Sequence, residues 1–240
     1  MTARLLPAAL LLAAAAVSIG CNHEAAEQHV DAKPAELKAL KPQPRDTRPA
    51  IVVLGDSLSA GFGLEAGQSY PDHLQKILDE KGYVYQVVNQ GLSGDTSTGG
   101  LARIDEALAV KPEIVLVEFG GNDGLRGIPT SNTRANLSAI IERIQASSVQ
   151  VLLAGITLPR NYGDDYIKDF DRIFPELAAK YHVTLIPFLL EGLISPAGAV
   201  PGMIQQDGIH PTAKGTPIIA RTVFSKLEPM LTARSKTAVH

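Results

Sequence analysis

The sequence has few of the residues that mark a disulfide-rich, zinc-binding or nucleic-acid-binding protein. Its 240 residues include one cysteine, Cys21, and no tryptophan. A single cysteine cannot form an internal disulfide or supply a cysteine-based zinc site by itself, so stability must come from packing. Basic residues are not in excess either, because 22 Lys and Arg stand against 25 Asp and Glu, a net charge of -3. Proteins that contact nucleic-acid phosphates usually show a basic excess, so we expect no nucleic-acid partner.

The overall composition indicates one folded domain. Hydrophobic residues make up 45% of the chain and charged residues 20%, which provides apolar surface for a core and a charge too balanced for a disordered protein. We see no internal repeat and no second change in composition. We therefore predict a compact domain over residues 50–232, followed by a C-terminal tail over residues 233–240, and we expect a monomer.

The first 20 residues are typical of a signal peptide. Arg4 gives a positive start and the rest of the segment carries no charge, which is long enough for the apolar part of a signal peptide but short for a transmembrane helix. The residues leading to Cys21 resemble a bacterial lipobox, in which Cys21 would carry the lipid, although Ser18 stands where that pattern prefers Leu. We expect an exported, periplasmic bacterial protein that touches a membrane only through this lipid. Ordinary cleavage before Cys21, which would release an unanchored protein, is the alternative.

Residues 21–49 differ in composition from the chain on either side. The segment from Asn22 to Pro49 has no aromatic residue and no glycine, and four prolines interrupt it. Such a segment cannot bury enough apolar surface to offset the entropy lost on ordering. We predict a disordered linker, which serves either as a tether between a membrane and the domain or as a tail without a task.

Apolar runs and amphipathic segments alternate from residue 50 onward. Five short, nearly continuous apolar runs are typical of strands buried on both faces of a sheet. They occupy residues 51–54, 84–88, 114–117, 149–153 and 183–186. Segments with helical spacing lie between and after them, at residues 70–81, 101–110, 133–146, 166–181 and 213–231. The alternation predicts the α/β class, with a parallel sheet covered by helices on both sides.

Polar, glycine-containing turns follow the first three predicted strands. They occupy residues 55–59, 89–96 and 120–124, and a fourth loop with Gly and Pro lies at residues 206–211. Ligands of open parallel sheets bind beyond the carboxyl ends of the strands. We therefore expect the functional site to contain residues from these four loops.

One serine and one histidine in these loops fit nucleophilic catalysis. A serine hydroxyl is a weak nucleophile until a base removes its proton, and a third group must hold that base in the right tautomer. Of the six histidines, His210 is the one that lies in a Gly- and Pro-bounded loop, three residues after Asp207. In an Asp-x-x-His turn the carboxylate and the imidazole can lie side by side. Asp207 could then bond one ring nitrogen while the other faces Ser57.

The four loops together resemble the conserved blocks of the GDSL or SGNH hydrolase family, in the same order along the chain. The matching residues are Gly55-Asp56-Ser57-Leu58, Gly91, Gly121-Asn122-Asp123 and Asp207-Gly208-Ile209-His210. Longer matches around them are similar to the bacterial periplasmic thioesterase and lysophospholipase branch, also known as arylesterases. The resemblance implies a three-layer α/β/α sandwich with a flavodoxin-like, five-stranded parallel sheet. It also implies Ser57 as the nucleophile, His210 as the base and Asp207 as the orienting carboxylate.

The same resemblance implies how the protein handles its substrate. The oxyanion hole would consist of the backbone N–H groups of Ser57 and Gly91 and the side-chain amide of Asn122. The reaction would be hydrolysis of carboxylic esters or thioesters, including aryl esters and lysophospholipids, through an acyl-enzyme and without a cofactor or metal. Apolar residues near the strand ends are candidates for substrate binding: Leu125, Ile128, Leu158, Pro159, Tyr162 and Ile209.

Other functions fit parts of the sequence. A carbohydrate O-deacetylase on the same fold, or a membrane-tethered binding protein without turnover, would share most of these features. Residues 61–66 match the dinucleotide fingerprint G-x-G-x-x-A, but they start six residues beyond the first predicted strand rather than directly after it. Asp56, Asp207 and His210 have side chains that bind several metal ions, but the sequence offers no second ligand cluster.

Overall fold

The structure, a computed structural model, describes residues 46–195 and 197–231. The predicted signal peptide, Cys21, nearly all of the predicted linker and the predicted tail at residues 233–240 lie outside these ranges. Among the described residues, none of the helices has both the length and the apolar character needed to span a membrane.

The centre of the described region is a parallel five-stranded sheet in the order β2-β1-β3-β4-β5. All residues of β1 and β3 are buried, and these two strands are apolar apart from Glu118 at the end of β3, whereas β2 at one edge is partly exposed. The predicted fold class and the five predicted strands are confirmed. The strands are β1 (Ala50–Gly55), β2 (Gln86–Gly91), β3 (Ile114–Glu118), β4 (Gln150–Ala154) and β5 (Thr184–Ile186).

Helices cover both faces of the sheet. Parallel crossovers are right-handed, so the reversal of direction after β1 places α2 on the face opposite to α3, α4, α6 and α7. The packing agrees, because α2 contacts α8, whereas α6 contacts α3, α4 and α7. Within the described ranges the α-helices are α1 (Ser57–Ala60), α2 (Tyr70–Glu80), α3 (Ser97–Ala102), α4 (Ile104–Ala109), α5 (Gly121–Leu125), α6 (Thr130–Ala146), α7 (Asp164–Tyr181) and α8 (Thr216–Leu227).

Local signals set the start of α2. The Ser69 side chain accepts the backbone N–H of Asp72, and the Asp72 side chain accepts the backbone N–H of Ser69, which is a capping box. Pro71 occupies the first turn, where a missing N–H costs nothing. Leu74 and Leu78 lie on the same face of α2, and both are buried in the core.

The structure differs from the predicted elements in three places. The predicted helix over residues 101–110 is two helices that meet at Arg103, whose side chain donates to the carbonyl oxygens of Gly55 and Gln90 and to the Asp95 carboxylate. The last helix is shorter than residues 213–231, because α8 ends at Leu227 and a 3-10 turn follows. An antiparallel pair of two-residue strands, β6 (Ile194–Ser195) and β7 (Gly198–Ala199), lies outside the predicted elements.

The register of the sheet brings the ends of three strands level. Gly55 at the end of β1 is aligned with Gly91 at the end of β2 and with Glu118 at the end of β3. The strand order reverses at β1, so this is the switch point at which open α/β sheets bind ligands. Three of the four motif-bearing loops start here.

Candidate active site

Ser57, His210 and Asp207 form a hydrogen-bonded chain at the carboxyl edge of the sheet. The distance from Ser57 Oγ to His210 Nε2 is 2.8 Å, and the distance from His210 Nδ1 to Asp207 Oδ2 is 2.7 Å. An ionised carboxylate only accepts, so Nδ1 carries the proton and Nε2 is left to accept the Ser57 hydroxyl. Two residues that lie 153 positions apart in the sequence are therefore in direct contact.

A tight turn fixes Asp207 against His210. Asp207 Oδ1 accepts the backbone N–H groups of Ile209 and His210 at 2.9 and 3.0 Å, while Oδ2 accepts the imidazole. Burial by itself would raise the pKa of Asp207, but the hydrogen bonds from Ile209 and His210 outweigh it and lower the pKa below its usual range. The carboxylate is thus held ionised in the position that fixes the tautomer of His210.

Ser57 is the first residue of α1, and one residue, Asp56, separates it from the end of β1. The turn needs glycine at position 55, because a Cβ there would lie 2.6 Å from Glu118 Oε2. Asp56 caps α1 by accepting the Leu58 N–H at 3.0 Å. At the first position of the helix the backbone N–H of Ser57 has no partner in the helical ladder.

Asn122 lies beside the nucleophile and is oriented by Asp56. Its Nδ2 donates to Asp56 Oδ2 at 3.0 Å, and both residues line the same cavity as Ser57. A side-chain amide has two N–H donors, so one remains for a ligand. The adjacent Asp123 points away, because it is buried and accepts hydrogen bonds from Ser97 and Thr133.

Gly91 differs from the expectation of an open oxyanion donor. Its backbone N–H donates to the Asn89 side-chain oxygen at 2.9 Å, and Gly91 does not line the cavity around Ser57. The requirement for glycine has another cause here, because a Cβ would lie 2.3 Å from the backbone nitrogen of Ala60 in α1. The close approach of β2 and α1 therefore fixes this position.

The buried carboxyl group of Glu118 supports the turn between β1 and α1. Glu118 Oε2 accepts the backbone N–H of Asp56 at 3.1 Å and the Ser59 hydroxyl at 2.8 Å, and Ser59 is in turn 2.7 Å from the Tyr70 hydroxyl. Burial, with the nearby Asp56 charge, raises the pKa of Glu118 well above its usual range. Burial also raises the pKa of Asp56, to about 6, although its hydrogen bonds to Leu58 and Asn122 oppose this.

A cavity of about 390 Å³ opens beside Ser57. Four of the six predicted substrate-binding residues line it: Leu125, Leu158, Pro159 and Ile209. Tyr162 and Ile128 do not line it. The Tyr162 hydroxyl donates to the Leu125 carbonyl oxygen, and the Ile128 carbonyl oxygen accepts the Tyr166 hydroxyl.

The cavity wall also includes residues that sequence reasoning missed. Most of them are apolar and come from the loops after β4 and β5 and from the β6 and β7 pair. These additional residues are Ile156, Thr157, Phe188, Leu190, Ile194 and Ala199. Sequence spacing gives no signal for the two-residue strands, because their pairing depends on contacts with the rest of the fold.

Glu118 did carry a signal in the sequence, since an acidic residue that ends an otherwise apolar strand has to be paired or protonated.

The site has the parts for acyl transfer and no set of metal ligands. Within residues 46–195 and 197–231, no group of three or more His, Cys, Asp or Glu side chains converges as metal ligands would. A hydroxyl bonded to an imidazole, a carboxylate behind that imidazole and nearby amide donors can together form and stabilise a tetrahedral intermediate at a carbonyl carbon.

Comparison with known proteins gives one family and several similar proteins. Residues 53–216 match the model of the GDSL-like Lipase/Acylhydrolase family. The chain is 46% identical over 182 residues to Esterase TesA of Pseudomonas aeruginosa, covering 75% of this chain and 89% of that protein. It is 40% identical over 182 residues to Thioesterase 1/protease 1/lysophospholipase L1 of Escherichia coli, covering 75% of this chain and 84% of that protein.

Two further similarities involve an esterase sequence and a solved structure. An Arylesterase of Vibrio mimicus is 41% identical over 178 residues, covering 74% of this chain and 87% of that protein. A crystal structure of TesA superposes with a TM-score of 0.72 at 45% identity, covering 76% of this chain and 99% of that chain. The similarity therefore extends over nearly the whole length of each of these proteins.

Proposed function

The chain belongs to the GDSL-like lipase/acylhydrolase family and is an ester-hydrolysing enzyme; from this premise we propose that Ser57 is its nucleophile, with His210 as general base and Asp207 as the orienting carboxylate. The observation that carries the proposal is the pair of distances that join the three side chains, 2.8 Å from Ser57 to His210 and 2.7 Å from His210 to Asp207.

The reaction proceeds in two acyl-transfer steps. His210 Nε2 takes the Ser57 proton as Ser57 Oγ bonds to the substrate carbonyl carbon, and the same nitrogen then returns that proton to the leaving oxygen or sulfur as its bond to carbon breaks. Water then attacks the acyl carbon while His210 Nε2 takes one of its protons. The bond from that carbon to Ser57 Oγ breaks, His210 returns the proton to Ser57 Oγ, and the carboxylic acid leaves. Asp207 stays ionised throughout and stabilises the imidazolium.

Two hydrogen-bond donors near Ser57 can stabilise the negative charge of the tetrahedral intermediate. One is the backbone N–H of Ser57 at the start of α1, and the other is the N–H of the Asn122 amide that Asp56 does not use. A neutral amide suits this position because it stabilises charge that develops in the transition state. Gly91 contributes a third donor if the substrate displaces Asn89 from its N–H.

The acyl part of the substrate occupies the cavity beside Ser57. Its walls are mainly apolar, with Leu125, Leu158 and Ile209 among them, so an acyl chain gains free energy by leaving water there. The names of the similar proteins, an esterase, a thioesterase and lysophospholipase, and an arylesterase, support carboxylic esters, thioesters and lysophospholipids as substrates of this chain.

An organophosphonate tests the assignment of the nucleophile. Such a reagent phosphonylates an activated serine, and peptide mass spectrometry locates the adduct. We expect labelling at Ser57, loss of labelling in His210→Ala, and normal labelling in the control His182→Asn. His182 ends α7 in a left-handed conformation that Asn also adopts, and it does not line the cavity. An adduct on another residue would contradict the assignment.

A substrate comparison separates this proposal from an O-deacetylase. Butanoate and octanoate esters of p-nitrophenol should be turned over faster than acetylated sugars, because the cavity is apolar and larger than an acetyl group requires. Preferential turnover of the acetylated sugars would favour the deacetylase. Absence of turnover on every ester would contradict catalysis itself.

We also propose export to the periplasm, with a lipid on Cys21. The proposal rests on the sequence of the leader and of the residues before Cys21. The mass of the mature N-terminus tests it. A diacylglyceryl adduct on Cys21 that disappears in Cys21→Ser agrees with the proposal, and an unmodified N-terminus at another residue contradicts it.

A further inference from the structure

Phe62 lies on the face of the His210 ring and is half exposed to solvent. The two ring centroids are 4.5 Å apart with an interplanar angle of 37°. Phe62 nevertheless keeps 49% of its surface exposed. Among the described residues, the other exposed large apolar side chains are Val84 and Leu92. Exposed phenyl surface beside the catalytic imidazole requires an explanation beyond core packing.

Gln205 holds the Phe62 loop against the His210 loop. Its Nε2 donates to the carbonyl oxygens of Phe62 and Pro211, each at 2.8 Å, and its backbone N–H donates to the His210 carbonyl oxygen at 2.8 Å. The backbone N–H of Phe62 donates to the Ser57 carbonyl oxygen at 3.1 Å. The backbone of Phe62 is therefore bonded both to the residue that carries the nucleophile and, through Gln205, to the loop that carries the base.

Phe62 lies outside the cavity that accommodates the acyl chain. That cavity is lined by Gly208, Ile209 and His210 on one side, whereas Phe62 is absent from its wall. The leaving group must extend away from the acyl chain, and its oxygen or sulfur must lie within reach of His210 Nε2 to receive the proton. The Phe62 face adjoins the imidazole and is open to solvent, so it is placed to contact that group.

Building on the nucleophile and base assigned above, we propose that the exposed face of Phe62, beside the His210 ring, is the leaving-group subsite and selects flat, apolar alcohols and thiols, with aryl groups preferred. A flat ring can stack on Phe62 while its oxygen stays near Nε2, and offset or tilted stacking of two aromatic rings adds to the free energy of burial. In the acylation step the carbon to aryl-oxygen bond breaks, the Ser57 Oγ to carbon bond remains, and the His210 proton goes to the aryl oxygen.

Two esters with the same acyl group test the subsite. Phenyl butanoate and hexafluoroisopropyl butanoate have leaving alcohols of similar acidity, but only the first has a flat ring. We expect Phe62→Ala to lower the ratio of kcat/KM for the phenyl ester to kcat/KM for the fluoroalkyl ester by about tenfold, the size of one stacking contact. Phe62→Tyr should keep the ratio, because the ring is retained.

Two further variants serve as a control and a second test. Val84→Ala removes exposed apolar surface before the start of β2, at the sheet edge away from Ser57, and should leave the ratio unchanged. Phe62→Leu keeps apolar bulk without a flat face and should lower the ratio even if Phe62→Ala folds poorly. If Phe62 acted only by positioning His210, both esters would lose kcat/KM equally and the pH profile of both would shift.

The outcomes distinguish this inference from the assignment of Ser57 and His210. An unchanged ratio in Phe62→Ala and Phe62→Leu, or equal losses on both esters, overturns the leaving-group subsite alone. Failure of the wild-type enzyme to hydrolyse either ester, or phosphonate labelling away from Ser57, overturns the assigned mechanism and the subsite with it.

Discussion

Glu118 Oε2 accepts the backbone N–H of Asp56 at 3.1 Å, which links the end of β3 to the residue immediately before the nucleophile. Glu118 is buried, and this burial, with the nearby Asp56 charge, raises its pKa well above the usual range, which favours the neutral acid. A neutral acid can accept this hydrogen bond without placing a second negative charge beside Asp56. The turn that presents Ser57 therefore depends on a side chain that does not itself contact the substrate.

Replacing Glu118 tests this support. Glu118→Gln keeps a neutral acceptor of the same shape, so we expect little change in the free energy of unfolding or in kcat. Glu118→Ala leaves the Asp56 N–H and the Ser59 hydroxyl without their acceptor, at a cost of about 1–3 kcal/mol for each buried polar group. Urea unfolding measures the difference. Equal stability of the two variants would contradict the role assigned to the Glu118 acceptor.

Asp56 predicts a pH dependence of stability. Its pKa in the folded state is about 6, above the usual 3.8, so between these values the folded protein retains a proton that the unfolded chain has lost. Stability contributed by Asp56 should therefore fall as pH rises from about 4 to 6, by up to roughly 3 kcal/mol, and stay level above that range. Glu118 adds a change of the same sign.

Asp56→Asn removes the titrating group while the Asn side chain can still cap α1. We expect the variant to lose less stability than the wild type between pH 4 and pH 6, because the buried charge no longer forms. Urea unfolding at several pH values gives both curves. Parallel curves for wild type and variant would show that Asp56 does not titrate in this window.

Asn122 should affect the rate more than substrate binding. Losing one oxyanion donor costs about 2.7–4 kcal/mol in the barrier, so Asn122→Ala should lower kcat by roughly 100- to 1000-fold with KM nearly unchanged. Asn132→Ala, at an exposed position in α6, is the matched control. A wild-type kcat in Asn122→Ala would contradict the oxyanion role.

The β6 and β7 pair should limit acyl-chain length. Ala199 lines the cavity, so Ala199→Phe fills part of it and should lower kcat/KM for octanoate esters more than for acetate esters. Ala197 lies in the turn between these two strands and does not line the cavity, which makes Ala197→Phe the control. Equal effects of Ala199→Phe on both esters would place the acyl chain elsewhere.

The sheet and the loops that meet at its edge could be predicted from the sequence, because both follow from local patterns of apolar and polar residues. Buried parallel strands read as apolar runs, and the polar turns after them meet at one edge whatever the details of packing. The Ser57 and His210 contact was predicted from the position of His210 in a Gly- and Pro-bounded loop and from the family resemblance, because that loop does not directly follow a strand of the sheet. The break between α3 and α4 at Arg103 could not be predicted in this way. It depends on hydrogen bonds from the Arg103 side chain to carbonyl oxygens of β1 and β2, which form only in the folded protein.

Other contacts made by single side chains could not be predicted from the sequence. Whether the Gly91 N–H is open or bonded to Asn89 depends on one rotamer, and the same is true of Asn122 with Asp56. Tyr162 was predicted to contact substrate; in the structure its hydroxyl donates to the Leu125 carbonyl oxygen, and it does not line the cavity beside Ser57. Apolar and aromatic residues near a site face either the ligand or the scaffold, and only the packed structure distinguishes the two.

The most direct test of the central claim is to trap the acyl-enzyme. The protein is mixed with p-nitrophenyl butanoate, quenched in acid within one turnover, and digested for peptide mass spectrometry. The account predicts a butanoyl group on Ser57 that is absent in Ser57→Ala. A butanoyl group on any other residue, or turnover by Ser57→Ala at the wild-type rate, would contradict it.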